Sequence, residues 1–290
     1  MPHEDDSRAL SPSSPSTRRI LAINPNTSDE FTDRIRASAE ALVRPGLEIA
    51  VRGAASGPRS IESVYDELLS GPATLEIALA ELDRFDGFVI ACYSDHPAVH
   101  ALREVTSKPV MGIAEASMYV ACMLGGRFSI VTTNDAWGPL LWAAVRRFGL
   151  AERCASVRPT GMPVLALEDD TSGEAFEQIL AAAQRAVTRD GADAICLGCA
   201  GMAGLDRRLE AALGVPVLDG LTSALKLVEM LLDLGARTSK RGLYQAPAPK
   251  PLLALPEIFA SAYLAPTENG VHGRLHHRDD RESATGPFGD

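Results

Sequence analysis

This sequence contains no apolar run approaching the roughly 20 residues that cross a bilayer, so no membrane-spanning helix is expected. Positive charge is not in excess either. The 28 Lys and Arg residues stand against 38 Asp and Glu, a net charge of −10, whereas binding to nucleic acid needs a clustered basic face. Membrane and nucleic acid are therefore not expected partners, and a small molecule is. The opening Met-Pro-His-Glu-Asp-Asp-Ser-Arg lacks the basic start and apolar stretch of a secretory signal. A cytoplasmic location, where thiols stay reduced, is the expectation. Cysteine is scarce and odd in number: Cys92, Cys122, Cys154, Cys196 and Cys199. In a chain of 290 residues these do not make a disulfide framework. Cys196-Leu-Gly-Cys199 has redox or metal-ligand spacing, yet no second Cys-x-x-Cys exists, and of six histidines only His96 and His100 lie away from the terminal segments. A zinc site would lack ligands, so no metal is expected.

What is present is a globular composition, 46% hydrophobic and 23% charged. That length can bury a large core as one domain or two small ones. Residues 1–18, rich in Ser, Pro and charge, read as a disordered tail. Residues 245–290 read as a Pro-rich, largely flexible extension that carries His272, His276 and His277; within it, 252–264 is apolar enough to dock as a short helix. Between the tails, short apolar runs alternate with helical spacing. Runs at 20–24, 47–52, 88–91, 127–132 and 194–198 look like strands, and 30–42, 61–82 and 137–148 look like helices. Such alternation predicts mainly parallel sheets covered on both faces, with ligands bound beyond the carboxyl ends of the strands.

An internal repeat sharpens this reading. Adding 107 to the residue number carries Val89 onto Cys196, Cys92 onto Cys199, Leu102 onto Leu209 and Pro109-Val110 onto Pro216-Val217. Adding 108 carries Arg19-Ile-Leu-Ala-Ile-Asn-Pro-Asn onto Arg127-Phe-Ser-Ile-Val-Thr-Thr-Asn. The expected architecture is α/β: two similar Rossmann-like (flavodoxin-like) lobes with parallel sheets, residues 19–122 and 123–244, related by a pseudo-twofold axis. Cys92 and Cys199 would face each other across the shared cleft. Two facing thiols suit inversion at an acidic carbon, where one face needs a base and the other an acid. An ordinary cysteine has a pKa near 8.5 and is only slightly ionised at neutral pH. Each of these two precedes an expected helix start, whose free N–H groups would favour the thiolate and could hold an enolate oxygen.

Five motifs, in order, carry a resemblance: Ile-Asn-Pro-Asn-Thr-Ser (23–28), Ala-Cys-Tyr-Ser-Asp-His-Pro (91–97), Gly-Ile-Ala-Glu-Ala-Ser (112–117), Leu-Gly-Gly-Arg-Phe-Ser-Ile-Val-Thr-Thr (124–133) and Leu-Gly-Cys-Ala-Gly-Met (197–202). Together they resemble the hydantoin racemase group of the aspartate/glutamate racemase superfamily, over about residues 19–249. Ser-Asp-His-Pro after Cys92 is closer to allantoin racemases than to typical hydantoin racemases. The resemblance implies a cofactor-independent isomerase with Cys92 and Cys199 as catalytic residues. It also implies a substrate pocket lined by Asn24, Tyr93, Ser94, Thr132, Thr133 and the Ala200-Gly201 backbone. Allantoin, favoured over 5-substituted hydantoins, would place the enzyme in purine catabolism. Other activities on the same scaffold stay open: aspartate or glutamate racemisation, arylmalonate decarboxylation, maleate isomerisation. So does a non-catalytic ligand sensor, although a sensor needs no pair of thiols. Few basic residues lie near the motifs, Arg59 being the main exception, which favours a neutral ring over a carboxylate.

The other candidates have plainer readings. Cys122, Cys154 and Cys196 are expected to be structural, Cys196 because it repeats Val89. His96 is expected to serve a helix start and His100 to lie within that helix. Asp95 can assist Cys92 or cap the helix, and Glu115 can line the pocket or sit at a helix start. Gly125-Gly126 reads as a turn between lobes rather than a phosphate loop. Homo-oligomer formation is compatible with such a body, and nothing in the sequence fixes its order.

Overall fold

The computed structural model describes residues 17–168 and 172–263. The expectations for residues 1–16 and 264–290, including His272, His276 and His277, lie outside the described residues. The chain alternates strictly at first: β1 (Arg18–Asn24), α1 (Asp29–Glu40), β2 (Leu47–Gly53), α2 (Val64–Ala80), β3 (Gly87–Ile90), α3 (Pro97–Val105), β4 (Val110–Gly112) and α4 (Ile113–Leu124). The second half repeats the order: β5 (Phe128–Thr132), α5 (Trp137–Arg147), β6 (Cys154–Pro159), α6 (Glu174–Asp190), β7 (Ala194–Leu197), α7 (Asp206–Leu213), β8 (Val217–Leu218) and α8 (Gly220–Asp233). A short α9 (Glu257–Ser261) follows and touches α2. Arg18, assigned to the tail by composition, already pairs with Leu47 in the first sheet. No helix among the described residues is long and apolar enough to cross a membrane.

The two sheets have the same order, β2-β1-β3-β4 and β6-β5-β7-β8, and every pairing is parallel. Parallel strands buried on both faces read as continuous apolar runs. Accordingly all four residues of β3, Gly-Phe-Val-Ile, and all four of β7, Ala-Ile-Cys-Leu, are buried. Helices α1, α2 and α8 begin where a side chain satisfies free N–H groups. Ser28 accepts from Phe31, Ser63 from Asp66, and Asp219 from Leu221 and Thr222.

The two halves of the sequence are not the two units of packing. Helix α4, which ends the first repeat, lies on β5, β7 and β8 of the second sheet. Helix α8, which ends the second, lies on β1, β3 and β4 of the first. The two helices also pack on each other. Leu221, Ala224, Leu225 and Val228 of α8 thus share one core with Ile20, Ala22 and Val89 of the first sheet. The approach is close enough to demand glycine. A Cβ on Gly87 of β3 would stand 2.4 Å from Val228 Cγ1, and one on Gly220 would stand 2.9 Å from the carbonyl oxygen of Ile113. The second obstacle is backbone and cannot rotate aside. Gly220→Ala is therefore expected to lower stability by about 1–3 kcal/mol, the usual range for overpacking; thermal and urea denaturation would read it.

Candidate active site

Each cysteine sits just past the last ladder bond of a central strand. Ala91 N–H donates to Ile23 O at 2.8 Å, and Cys92 follows; Gly198 N–H donates to Val131 O at 2.7 Å, and Cys199 follows. Strand β1 or β5 thus extends each central strand by one bond and then releases the chain at the thiol. Gly198 has no alternative residue, since a Cβ there would lie 2.7 Å from Val131 O and 2.8 Å from Thr132 Cβ. Thr132 donates its hydroxyl to the Gly198 carbonyl at 2.9 Å, which fixes the turn that presents Cys199.

Both thiols line one cavity of about 40 Å³, room for roughly three waters by volume. Its walls come from both lobes. Pro25, Asn26, Phe31, Ile61, Ala91 and Tyr93 belong to the first, while Thr133, Trp137, Val164, Gly198, Ala200 and Gly201 belong to the second. No side chain in that lining is ionised at neutral pH. Thr133 Oγ1 is buried and has no protein hydrogen-bond partner, and a buried hydroxyl of this kind is a ready contact for a polar ligand atom.

Of the residues expected to bind substrate, Thr133, Ala200 and Gly201 line the cavity, as does Tyr93, whose hydroxyl is committed to Ser117 Oγ at 2.9 Å. Asn24, Ser94 and Thr132 stand behind the wall. Asn24 is fully buried, and its amide ties Asn26 Oδ1 at 2.9 Å and Thr32 Oγ1 at 3.0 Å. That network holds the Pro25-Asn26 turn against the cavity. Ser94 donates to Cys92 Sγ at 3.4 Å. Phe31, Ile61, Trp137 and Val164 carry no motif; only their large apolar side chains close to turns could have marked them.

Burial pushes the Cys92 thiol well up, the negative charges of Glu67 and of the second cysteine add to the effect, and the Ser94 hydroxyl opposes it. The Cys199 thiol is pushed up to about 11, again by burial, with Glu62 adding and the Gly201 N–H and Arg34 opposing. The expected lowering by helix-start N–H groups thus operates at Cys199 through Gly201, but desolvation outweighs it. Burial thus favours the thiol form of both groups at neutral pH.

The charged residues near the motifs are occupied elsewhere. His96 is fully buried; its Nδ1 accepts from Ala98 N–H at 3.2 Å, so its Nε2–H faces Ser70 Oγ at 2.9 Å. Burial lowers its pKa to about 4 and keeps it neutral. Asp95 neither caps α3 nor meets Cys92. It pairs with His100 at 2.6 Å and with Arg147 of the other lobe at 2.8 Å. Glu115 is held by Arg103 at 2.6 Å. Gly126 and Arg127 N–H groups donate to Asp193, so their turn is closed by the protein's own carboxylate. Arg59 pairs with Glu168 at 2.9 Å. Arg34 of α1, which no motif marks, reaches across the cleft to the carbonyls of Leu167, Glu168 and Gly201 and thereby steadies the turn after Cys199. Cys196 is fully buried in the core and Cys154 is buried; all five cysteines are free. Among the described residues no group of three or more His, Cys, Asp or Glu converges on a common point that could hold a metal ion.

Two topologically matched lobes, each contributing a strand-end thiol to one uncharged cleft, define a two-lobed α/β enzyme that can address a ligand from both sides. Comparison with known proteins gives the class its family. Residues 20–228 match the family model described as Asp/Glu/Hydantoin racemase, and the chain belongs to that family. It is a racemase, and so an isomerase. A hydantoin racemase of Pseudomonas sp. (strain NS671) is 43% identical over 242 residues, 83% of this chain and 96% of the relative. The solved allantoin racemase from Klebsiella pneumoniae is 43% identical with a TM-score of 0.78, covering 82% of this chain and 96% of that one. The allantoin racemase of Pseudomonas fluorescens is 40% identical, also with a TM-score of 0.78, covering 81% and 100%.

The electrostatics set an order of reactivity. Thiol alkylation of the ligand-free protein, followed by peptide mass spectrometry, should find both cysteines slow at pH 7–8 and Cys199 reacting ahead of Cys92 as pH rises. A Cys92 that alkylated faster than a free thiol at pH 7 would contradict the dominance of desolvation.

Proposed function

We propose that this racemase inverts the C5 stereocentre of a cyclic ureide, allantoin ahead of 5-substituted hydantoins, with Cys92 and Cys199 as opposed base and acid. The observation that carries the reading is the pairing of two thiols on one cavity whose lining holds no ionised side chain. The C5 carbon lies between a ring carbonyl and a ring nitrogen, and loss of its hydrogen gives a planar enolate. One cysteine, as thiolate, takes that hydrogen; the other thiol supplies a proton to the opposite face, and the opposite enantiomer uses the roles in reverse. A neutral ring needs amide and hydroxyl partners, which Asn26, Thr133 and the Ala200-Gly201 backbone supply. The Gly201 N–H, already turned toward the second sulfur, is also placed to stabilise negative charge as it develops.

Amino-acid, malonate or maleate substrates carry carboxylates, and the nearby cations Arg34 and Arg59 are spent on carbonyls and on Glu168. A one-base decarboxylation leaves the second thiol without a task, and a sensor leaves both. Five free cysteines suit a reducing, cytoplasmic setting.

The test is optical rotation of (R)- and (S)-allantoin in turn, corrected for spontaneous racemisation. Both should decay to zero with enzyme, and Cys92→Ala or Cys199→Ala should slow the decay by about 10²–10⁴-fold or more, the scale of a lost acid or base. Full activity in the double variant would sink the two-thiol mechanism, and silence on allantoin with activity on 5-benzylhydantoin would move the substrate.

A further inference from the structure

The cavity that the two thiols share is too small for the ring proposed above. It holds about 40 Å³, whereas a cavity that takes up benzene measures about 150 Å³. The cleft is therefore closed, and part of its wall has to move before a substrate reaches the sulfurs. Separation of the lobes as rigid bodies is blocked. Helices α4 and α8 pack on the opposite sheets, and Gly220 abuts the Ile113 carbonyl. Phe31 and Trp137 of the wall stand on helices α1 and α5. Ile61 and Val164 do not; they lie in the connections 54–63 and 160–168.

The second connection is built to move. Thr160 and Gly161 N–H still bond the carbonyl of Thr133 beyond β5, both at 2.9 Å. Past them the segment forms a single tight turn, with Ala166 N–H on Pro163 O at 3.1 Å and Glu168 N–H on Leu165 O at 3.0 Å. Gly161 has a φ of 85° and open space where a Cβ would stand, which suits a pivot. What holds the rest of the segment in place is the first lobe. Met162, Val164 and Leu167 share an apolar cluster with Phe31 of α1. The Glu168 carboxylate accepts from the Ser28 hydroxyl at 2.7 Å and from Arg59 at 2.9 Å. Arg34 bonds the carbonyls of Leu167 and Glu168 and also that of Gly201, at 3.0 Å, in the turn after Cys199.

We propose that residues 160–168 form a strap that opens to admit substrate, and that Glu168 is the latch holding it shut on the first lobe. The inference rests on the reading above only in needing a ring-sized substrate between the two cysteines. Release breaks the bonds to Ser28 and Arg59 and lifts Val164 off the cavity. Closure restores them and, through Arg34, seats the Gly201 turn beside the substrate. The latch is asymmetric: the Glu168 side chain is 4% exposed and that of Arg59 60%. One partner thus already borders water, and solvent can take its place at low cost. Glu168 touches no reacting atom; it is a positioning residue.

The test measures access to the thiols in Glu168→Gln, which keeps the shape of the side chain and loses its charge. Cys92 and Cys199 are alkylated at one fixed pH with a small reagent, iodoacetamide, and with a bulky one, fluorescein maleimide, and each site is read by peptide mass spectrometry. An opened strap admits the bulky reagent preferentially, so its rate should rise by about tenfold, the weight of one charge-assisted hydrogen bond, and that of iodoacetamide by much less. Hydrogen exchange should quicken in 160–168 while β3 and β7 keep wild-type rates. An equal gain with both reagents would mean that the lost charge acts on the thiols electrostatically, and would overturn the latch. Unchanged rates with both would overturn it as well, and so would faster exchange spread evenly over the two sheets. If Glu168→Gln does not fold, Arg59→Gln, at an exposed position, must show the same preference for the bulky reagent, and its absence there overturns the proposal. None of these readouts uses a substrate. Failure of the two-thiol reading would show instead as racemisation surviving in Cys92→Ala and Cys199→Ala.

Discussion

The reciprocal exchange of α4 and α8 is the constraint from which the rest of the structure follows. Each helix covers the sheet of the opposite lobe, so neither sheet is buried on both faces until the other lobe is in place. The fit is set by backbone. Gly220 abuts Ile113 and Gly87 admits Val228, contacts with no slack for a methyl group. Because the two lobes share one core in this way, the ends of β3 and β7 are held at a fixed distance, and the thiols beyond them border a single cavity. Arg34, Arg147 and the Glu62–Asn134 bond then tie the rims of the cleft together.

Charge is distributed around that cavity rather than in it. A protein with a net charge of −10 keeps its ion pairs one layer back: Asp95 with His100 and Arg147, Glu115 with Arg103, Glu168 with Arg59. What faces the ligand is sulfur, hydroxyl, amide and hydrocarbon. In so enclosed a place a charge is costly, which is why both thiols keep their protons, and also why any negative charge created there interacts strongly with the few N–H groups provided.

The central strands β1, β3, β5 and β7 were legible because burial on both faces leaves an unbroken apolar run, whereas the half-exposed β6, which carries Arg158, shows no such run; the offset repeat placed the two cysteines at matching strand ends. The helix exchange was not legible. Apolar spacing in 113–124 and 220–233 identifies a face to be covered, and says nothing about which sheet covers it. The polar lining was half legible for a related reason. Thr132 and Thr133 are adjacent, but only the second reaches the cavity, because successive side chains at a strand end leave in opposite directions. Ile61 lies just ahead of α2, outside the helix that the spacing of 61–82 suggested, and Val164 opens a single 3₁₀ turn too short to show a period. The thiol pKa values depend on a contest between helix-start N–H groups and desolvation, and sequence shows the first contestant only.

The exchanged helices also bear on how such a chain can arise. Cut between α4 and β5, either half carries a helix that fits a sheet it does not own and a sheet that lacks a cover. Two copies of one half would complete each other, as partners do when they swap an element, and their symmetry would bring two copies of one cysteine to a common cleft. A polypeptide holding a single repeat could reach this architecture only as a pair. Joining the copies in one chain frees the two thiols to diverge, and here they have: one is deeply enclosed beside a serine and the other is partly open beside glycine.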